Sequence, residues 1–169
     1  MRVVRYGNPV LRRKGDPVTS FDDGFRETVA KMRETMLQSD GVGLAAQQVG
    51  ISQRFFIMGI PNDPKHREGE RTWYVIANPE LVNPSETEVL MEEGCLSFPG
   101  LYVEVYRPET ITVKYQDEFG EHHELHADGY IARVILHEYD HLEGILFIDR
   151  ISPLKRSLLR KRLKALQED

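Results

Sequence analysis

The sequence predicts an α+β fold in which antiparallel strands pack around a central helix, with an amphipathic helix at the C-terminus. Three observations carry that expectation. First, Val103 and Val105 flank Glu104, and Ile111, Val113 and Tyr115 alternate with Thr112 and Lys114, so the middle of the chain has the two-residue period of half-buried strands. Second, Phe25, Val29, Met32 and Met36 recur at helical spacing before that region, and Tyr130, Val134, His137 and His141 do so after it. Third, no repeat, low-complexity tract or linker interrupts the 169 residues, so positions 1–169 are read as a single domain.

The elements follow in order. Asn8-Pro9 opens a short helical turn. Residues 21–38 read as a helix with charges between its apolar positions. Gly41-Val42-Gly43-Leu44-Ala45-Ala46-Gln47-Gln48-Val49-Gly50 is a small-residue segment bounded by glycines. Taken alone it reads as a tight turn packed on a helix. It lacks the Gly-Lys-Ser/Thr of a phosphate loop. Residues 54–60 and 72–77 read as strands, and the polar stretch 61–71 between them as a surface loop. Glu93-Gly94-Cys95-Leu96-Ser97 reads as turn-like. Glu118-Phe119-Gly120-Glu121 turns into a strand at 122–126. Asp128 or Ala127 caps a helix that runs to about Glu143 and closes at Gly144. Ser152-Pro153 starts the final helix, 152–169, with proline in its favoured first turn and Leu154, Leu158, Leu159, Leu163 and Leu166 as its apolar stripe.

Composition narrows the function classes. Hydrophobic residues make up 40% and charged residues 29%, which excludes a collagen, a coiled-coil rod and a disordered chain. The single cysteine, Cys95, excludes an intrachain disulfide and fits a reducing compartment. No signal-like leader and no apolar run near the ~20 residues of a membrane span are present, so a cytoplasmic protein without a membrane partner is expected. Net charge is −5. Residues 152–169 hold six basic side chains (Lys155, Arg156, Arg160, Lys161, Arg162, Lys164) against Glu168 and Asp169, a local +4 that leaves −9 for the body. The body repels DNA, while the tail alone can approach phosphate.

The chemistry gathers in His137-Glu138-Tyr139-Asp140-His141. On a helix, residues four apart lie ~40° apart around the axis, so both imidazoles share a face, with Glu138 turned ~100° aside. That arrangement holds a metal and places a general base next to it. The histidines continue the stripe of Tyr130 and Val134, so they point inward, where an unligated imidazole needs a hydrogen bond. Two core histidines satisfied in that way are the plain alternative.

The third ligand is less direct. A metzincin protease has histidine where this chain has Phe147. The acidic residues Asp149, Glu168 and Asp169 are poorly placed. Cys95 is the better candidate, completing a Cys-His₂ set that suits a borderline or soft metal and leaves a fourth position for water. Its other readings are a small buried hydrophobe or a Cys–His nucleophile.

Three segments together resemble the peptide deformylase family: Gly41-Val42-Gly43-Leu44-Ala45-Ala46-Gln47-Gln48, Glu93-Gly94-Cys95-Leu96-Ser97, and His137-Glu138-Tyr139-Asp140-His141. Order and spacing match from about Val4 to Leu166. Gln47 departs from the small residue or proline frequent there. The resemblance implies a metal-dependent hydrolase that removes the N-formyl group from formyl-methionine on nascent chains and releases formate. It implies Cys95, His137 and His141 as ligands of one divalent ion, Fe²⁺ first, with Ni²⁺, Co²⁺ or Zn²⁺ also accepted. It makes metal-bound water the nucleophile, Glu138 the general base and acid, and Gln48 and the Leu96 N–H the oxyanion donors.

Gly43 is expected against the substrate backbone, and Tyr130, Val134 and Met91 around the methionine side chain. Glu93 is expected to support the ligands, with Arg107 as its partner or as half of a surface pair. The basic tail helix is a candidate ribosome contact, and a monomer is expected. Two further readings use the same motif. One is a metalloprotease. The other is a ribosome- or RNA-binding module with a closed structural metal, its fourth ligand drawn from His122, His123 or His126.

Overall fold

The structure, a computed structural model, describes residues 1–168; Asp169, counted above with the tail, lies outside the described residues. Seven strands and four α-helices run in the order α1 (Asp23–Gln38), β1 (Gly43–Ala45), β2 (Phe55–Pro61), β3 (Arg71–Val82), β4 (Glu88–Cys95), β5 (Phe98–Pro108), β6 (Thr110–Gln116), β7 (His122–Asp128), α2 (Gly129–Leu142), α3 (Pro153–Leu158) and α4 (Arg160–Glu168). Short 3₁₀ turns lie at Pro9–Arg12, Ala46–Val49 and Phe147–Arg150. The expected mixed fold is present, and every strand pair is antiparallel.

Five strands form one sheet in the order β1-β2-β3-β6-β7. Its two faces explain its sequences. Phe56 and Met58 of β2 and Ile76 of β3 pack with Val134 and Ile135 of α2. Phe55 and Ile57 of β2 and Val75 of β3 pack with Phe25, Val29, Met32 and Met36 of α1. A strand covered on both faces has no polar side, and this is why Phe55-Phe56-Ile57-Met58 reads as an unbroken apolar run. Helix α2 lies on one face and supplies ten buried side chains, four of them ionisable or metal-binding types in its last turns.

Strands β4 and β5 form a separate two-stranded ribbon that brings Cys95 to α2. The sequence suggested only a turn at 93–97, yet β4 begins at Glu88. The alternation is disguised there. Its inward row, Val89, Met91 and Glu93, includes a carboxylate, while its outward row includes Leu90. A register shift between Gly94 and Cys95 ends the ribbon and turns the thiol toward the helix.

The C-terminal segment also differs from expectation. It is two helices joined at Leu159, not one. Leu159, Leu163 and Leu166 pack with Leu11, Phe98, Leu146 and Ile148. Leu154 and Leu158 are 71% and 76% exposed. Adjacent helical positions differ by ~100°, so Leu158 and Leu159 cannot serve one face. The apolar stripe is therefore shorter than the spacing of leucines suggests. No helix among the described residues is long and apolar enough to cross a membrane.

Candidate metal centre

Helix α2 sets the first two side chains of the site. Asp128 stands at its N-cap and Gly144, at φ +72°, follows its last turn. His137 and His141 lie one turn apart with ring centroids separated by 5.2 Å. Both are buried in the face turned toward the ribbon. The end of β4 brings Cys95 against them, and donor atoms of the three residues lie within 4.8 Å of one another.

The Cys95 Sγ to His141 Nε2 distance is 3.5 Å. Two ligands at about 2.3 Å (sulfur) and 2.0–2.1 Å (nitrogen) from a tetrahedral centre stand about 3.6 Å apart, so the spacing fits a metal site. The residues present therefore fit a divalent ion. Electrostatics agree. Burial pushes the His137 imidazole toward neutrality, but hydrogen bonds with the Cys95 thiol and the Glu93 carboxylate outweigh it and raise its pKa to about 10. The pocket favours positive charge at that point, which a cation supplies as well as a proton does. Burial, reinforced by the nearby His137 and Arg107, pushes His141 well below the ordinary value, so it stays neutral, as a ligand must.

Behind His137 lies a buried ionic cluster. His137 Nδ1 meets Glu93 Oε1 at 2.7 Å, which leaves Nε2 for the metal. Glu93 also accepts two bonds from Arg107, at 2.6 and 3.0 Å, and one from Arg133 at 2.8 Å. Arg107 continues to Asp140, 2.8 Å away, and Asp140 takes two more bonds from Arg150. Arg133 also donates to the carbonyls of Val105 and Val89, tying the ribbon to α2. Burial alone would raise the Glu93 carboxyl, but His137 and Arg107 hold it far below the usual carboxylate range. Arg107 is 4% exposed, so its pairing with Glu93 is a buried contact and not a surface pair.

In front of the ligands stands Glu138, equally buried but differently served. Its Oε2 has no hydrogen-bond partner among the described residues. Burial raises its pKa to about 7, and the charge of Glu93 adds to the rise against the opposing pull of His137 and Arg107. Gly43 makes this position possible: a Cβ there would stand 2.8 Å from Glu138 Oε1. The Ala45 N–H donates to Gln48 Oε1 at 2.9 Å. That bond orients the amide so that Nε2 faces Cys95 Sγ at 3.4 Å and Ser97 Oγ at 3.2 Å. Gln47 is buried and its amide donates to the Arg13 carbonyl, so the departure at this position turns away from the ligands.

These groups open onto a cavity of about 520 Å³. Gly43, Gln48, Leu96, Tyr130, Val134 and Glu138 line it with Cys95 and His137. Of the residues expected around a substrate side chain, Met91 does not line it. Met91 pairs with Val105 within the ribbon, four residues back along β4 from Cys95. Val134 is buried, whereas Tyr130 is 47% exposed at the cavity rim. The structure also adds residues that the sequence reading passed over: Arg133, Asp140 and Arg150 in the cluster, and Ser97 beside Gln48. Arg133 had a visible sign, a guanidinium one turn before His137 on the helix face of Tyr130 and Val134. Phe147, where a metzincin has its third histidine, packs its ring 5.6 Å from that of His137.

Comparison with known proteins agrees with this geometry. The family described as Polypeptide deformylase matches residues 1–157. A curated peptide deformylase of Thermotoga maritima is 53% identical over 163 residues, covering 96% of this chain and 93% of that protein. The crystal structure of a Thermotoga maritima peptide deformylase superposes with a TM-score of 0.82 at 49% identity, over 90% of this chain and 97% of that one. Peptide deformylase 1B of Arabidopsis thaliana, solved with an inhibitor, gives a TM-score of 0.91 at 37% identity, over 99% and 91%.

Proposed function

The chain belongs to the polypeptide deformylase family, metal-dependent hydrolases that act on formylated nascent peptides, and from that premise we propose how its own residues divide the work. Cys95, His137 and His141 hold one divalent ion. Fe²⁺ is the proposed resident, and Ni²⁺, Co²⁺ and Zn²⁺ satisfy the same donors. When bound, the ion supplies a Lewis acid and brings the pKa of a water near neutrality.

Glu138 takes the proton released as water adds to the formyl carbon. The C–N bond then breaks, formate leaves, and Glu138 returns the proton to the methionine amine. The oxyanion formed on addition is held by the Gln48 amide and the Leu96 N–H. Losing one such donor typically costs ~10²–10³ in rate. Gly43 lets the substrate backbone approach, and Val134 with Tyr130 borders the methionine side chain. Glu93 is a positioning residue: it fixes the His137 tautomer.

The observation that carries this reading is the convergence of the sulfur and two imidazoles beside a buried carboxylate oxygen that has no other partner. The test is formate release from formyl-Met-Ala-Ser by anaerobically prepared protein loaded with Fe²⁺ or Ni²⁺. Turnover by the parent and near-zero turnover by metal-replete Glu138→Gln is expected. A folded, fully metallated parent that releases no formate overturns it. Cobalt loading gives a second readout, a thiolate-to-metal absorption band that Cys95→Ser removes.

We also propose a cytoplasmic monomer that meets the ribosome through the basic faces of α3 and α4. Deleting residues 153–169 should then weaken ribosome co-sedimentation in a salt-dependent way. Unchanged binding by a folded truncation removes that part of the reading.

A further inference from the structure

The outer face of the β4–β5 ribbon continues directly from the cavity. Strand alternation turns Leu90, Glu92 and Gly94 of β4 and Tyr102, Glu104 and Tyr106 of β5 outward, and all are exposed. The register sets Gly94 opposite Tyr102, Glu92 opposite Glu104, and Leu90 opposite Tyr106. The first pair and Glu92 line the cavity mouth. The next rows lead away from it at about 6.6 Å per pair of residues.

Two features make this face more than exposed strand. Tyr102 and Tyr106 are 62% and 61% exposed and, with Leu90, offer rigid apolar surface in line with the cavity. Between them, Glu92 and Glu104 oppose each other directly, an arrangement that destabilises a strand pair. Neither side chain has a hydrogen bond or ion pair among the described residues, and no lysine or arginine shares the face. The nearby guanidiniums of Arg107 and Arg133 are committed inward. The result is a row of acidic and aromatic side chains left without a cation.

We propose that this face receives the stretch of the formylated substrate that follows its first few residues and selects for lysine or arginine there. The inference rests on the deformylase reading of the cavity. With the formylated residue in the cavity, an extended chain at ~3.3–3.6 Å per residue reaches Glu104 from about the fourth residue onward. A basic side chain there meets both carboxylates and relieves their repulsion, and its aliphatic stem lies on a tyrosine ring.

The test compares formyl-Met-Ala-Ser-Lys-Ala-Lys with formyl-Met-Ala-Ser-Glu-Ala-Glu on the metal-loaded enzyme. The basic peptide should have the higher kcat/KM, by about two- to fivefold and through KM, the range that exposed ion pairs supply. The preference should shrink toward unity in Glu104→Gln and at about 0.5 M salt, where the Debye length falls to a few ångströms. Turnover of formyl-Met-Ala-Ser should be the same in Glu104→Gln and parent.

Calorimetric binding of both peptides to Glu138→Gln reads the same preference without turnover. Equal kcat/KM and equal affinity for the two peptides overturn the proposal, as does a preference that survives Glu104→Gln intact. Salt-sensitive self-association abolished by Glu104→Gln, with no peptide preference, assigns the face to a second copy and also overturns it. Absence of turnover with every formylated peptide, while the calorimetric preference persists, instead defeats the catalytic reading and leaves this one standing.

Discussion

Two buried carboxylates stand on either side of His137, and the contrast between them separates structure from chemistry. Glu93 is 5% exposed and Glu138 4%. Burial works against the charge of both. Glu93 is surrounded by donors from Arg107, Arg133 and His137, and its carboxyl lies far below the usual range. Glu138 is left with one oxygen unpartnered, and its carboxyl rises to about 7. A carboxylate with its donors satisfied is a fixed anion that holds a ligand in place. One denied donors is poised to exchange a proton near neutral pH. In the proposed division of work, the same residue type therefore anchors the site on one side and serves it on the other.

The largest expected effect comes from removing the reactive member of the pair. Glu138→Gln should lower kcat by about 10²–10⁴, the range of a positioned acid–base group. It should leave the metal content unchanged and the melting temperature equal or higher, because a poorly served buried carboxylate becomes neutral. Removing the anchoring member should do the reverse. Glu93→Ala leaves the buried Arg133 guanidinium without a counter-ion and Arg107 with Asp140 alone, and should cost about 3–5 kcal/mol of stability, measured by denaturant unfolding. The milder Glu93→Gln should fold and lose metal affinity by about 10–100-fold, read by competition with a chelator. Equal stability losses at 93 and 138 would break the comparison.

A third substitution sharpens it from the side of the backbone. Gly43→Ala places a methyl 2.8 Å from Glu138 Oε1 and 3.0 Å from its Cγ, so the carboxylate must move. A displacement approaching 1 Å can cost about 10²-fold in rate, and kcat should fall by up to that amount. In the Glu138→Gln background the same change should add little, because the group being displaced no longer works. A full additive loss would place the role of Gly43 elsewhere, in contact with substrate.

Much of this was legible in the sequence, for physical reasons that differ by element. The helical period of Phe25, Val29, Met32 and Met36 and the strand at 54–60 are present as read. Asn8 and Ser152 cap the turns they introduce. The spacing of His137 and His141 fixed their common face before any tertiary contact was known. Strand β4 was hidden because Glu93 belongs to its inward row, and a buried glutamate is readable only once Arg107, Arg133 and His137 are placed around it. Met91 failed as a cavity residue because four positions along a strand span about 13 Å. The leucines at 154 and 158 stay exposed because the segment is two helices and not one, so they do not share the buried face of Leu163. Local periodicity reveals what each element does for itself; the ionic cluster depends on four segments meeting.

The smallest expected effect tests whether the donor count alone explains Glu93. Asp149 is nearly as well supplied: it accepts from Arg12, Arg156 and the Leu146 N–H. Burial pushes its carboxyl up, and these bonds outweigh that and hold it below the ordinary value. Its partners are open to water, Arg12 at 43% and Arg156 at 41% side-chain exposure. Solvent screens such pairs to at most about 1 kcal/mol. A depressed carboxyl contributes stability at pH values above its unfolded pKa of about 3.9, and loses it as pH falls through the lower folded value. Asp149→Asn should therefore lower the melting temperature by only a few degrees at pH 7, and the gap from the parent should narrow as the pH falls below the unfolded value of about 3.9. A loss at pH 7 as large as that of Glu93→Ala would mean that donors, and not exclusion of water, make the anchoring carboxylate.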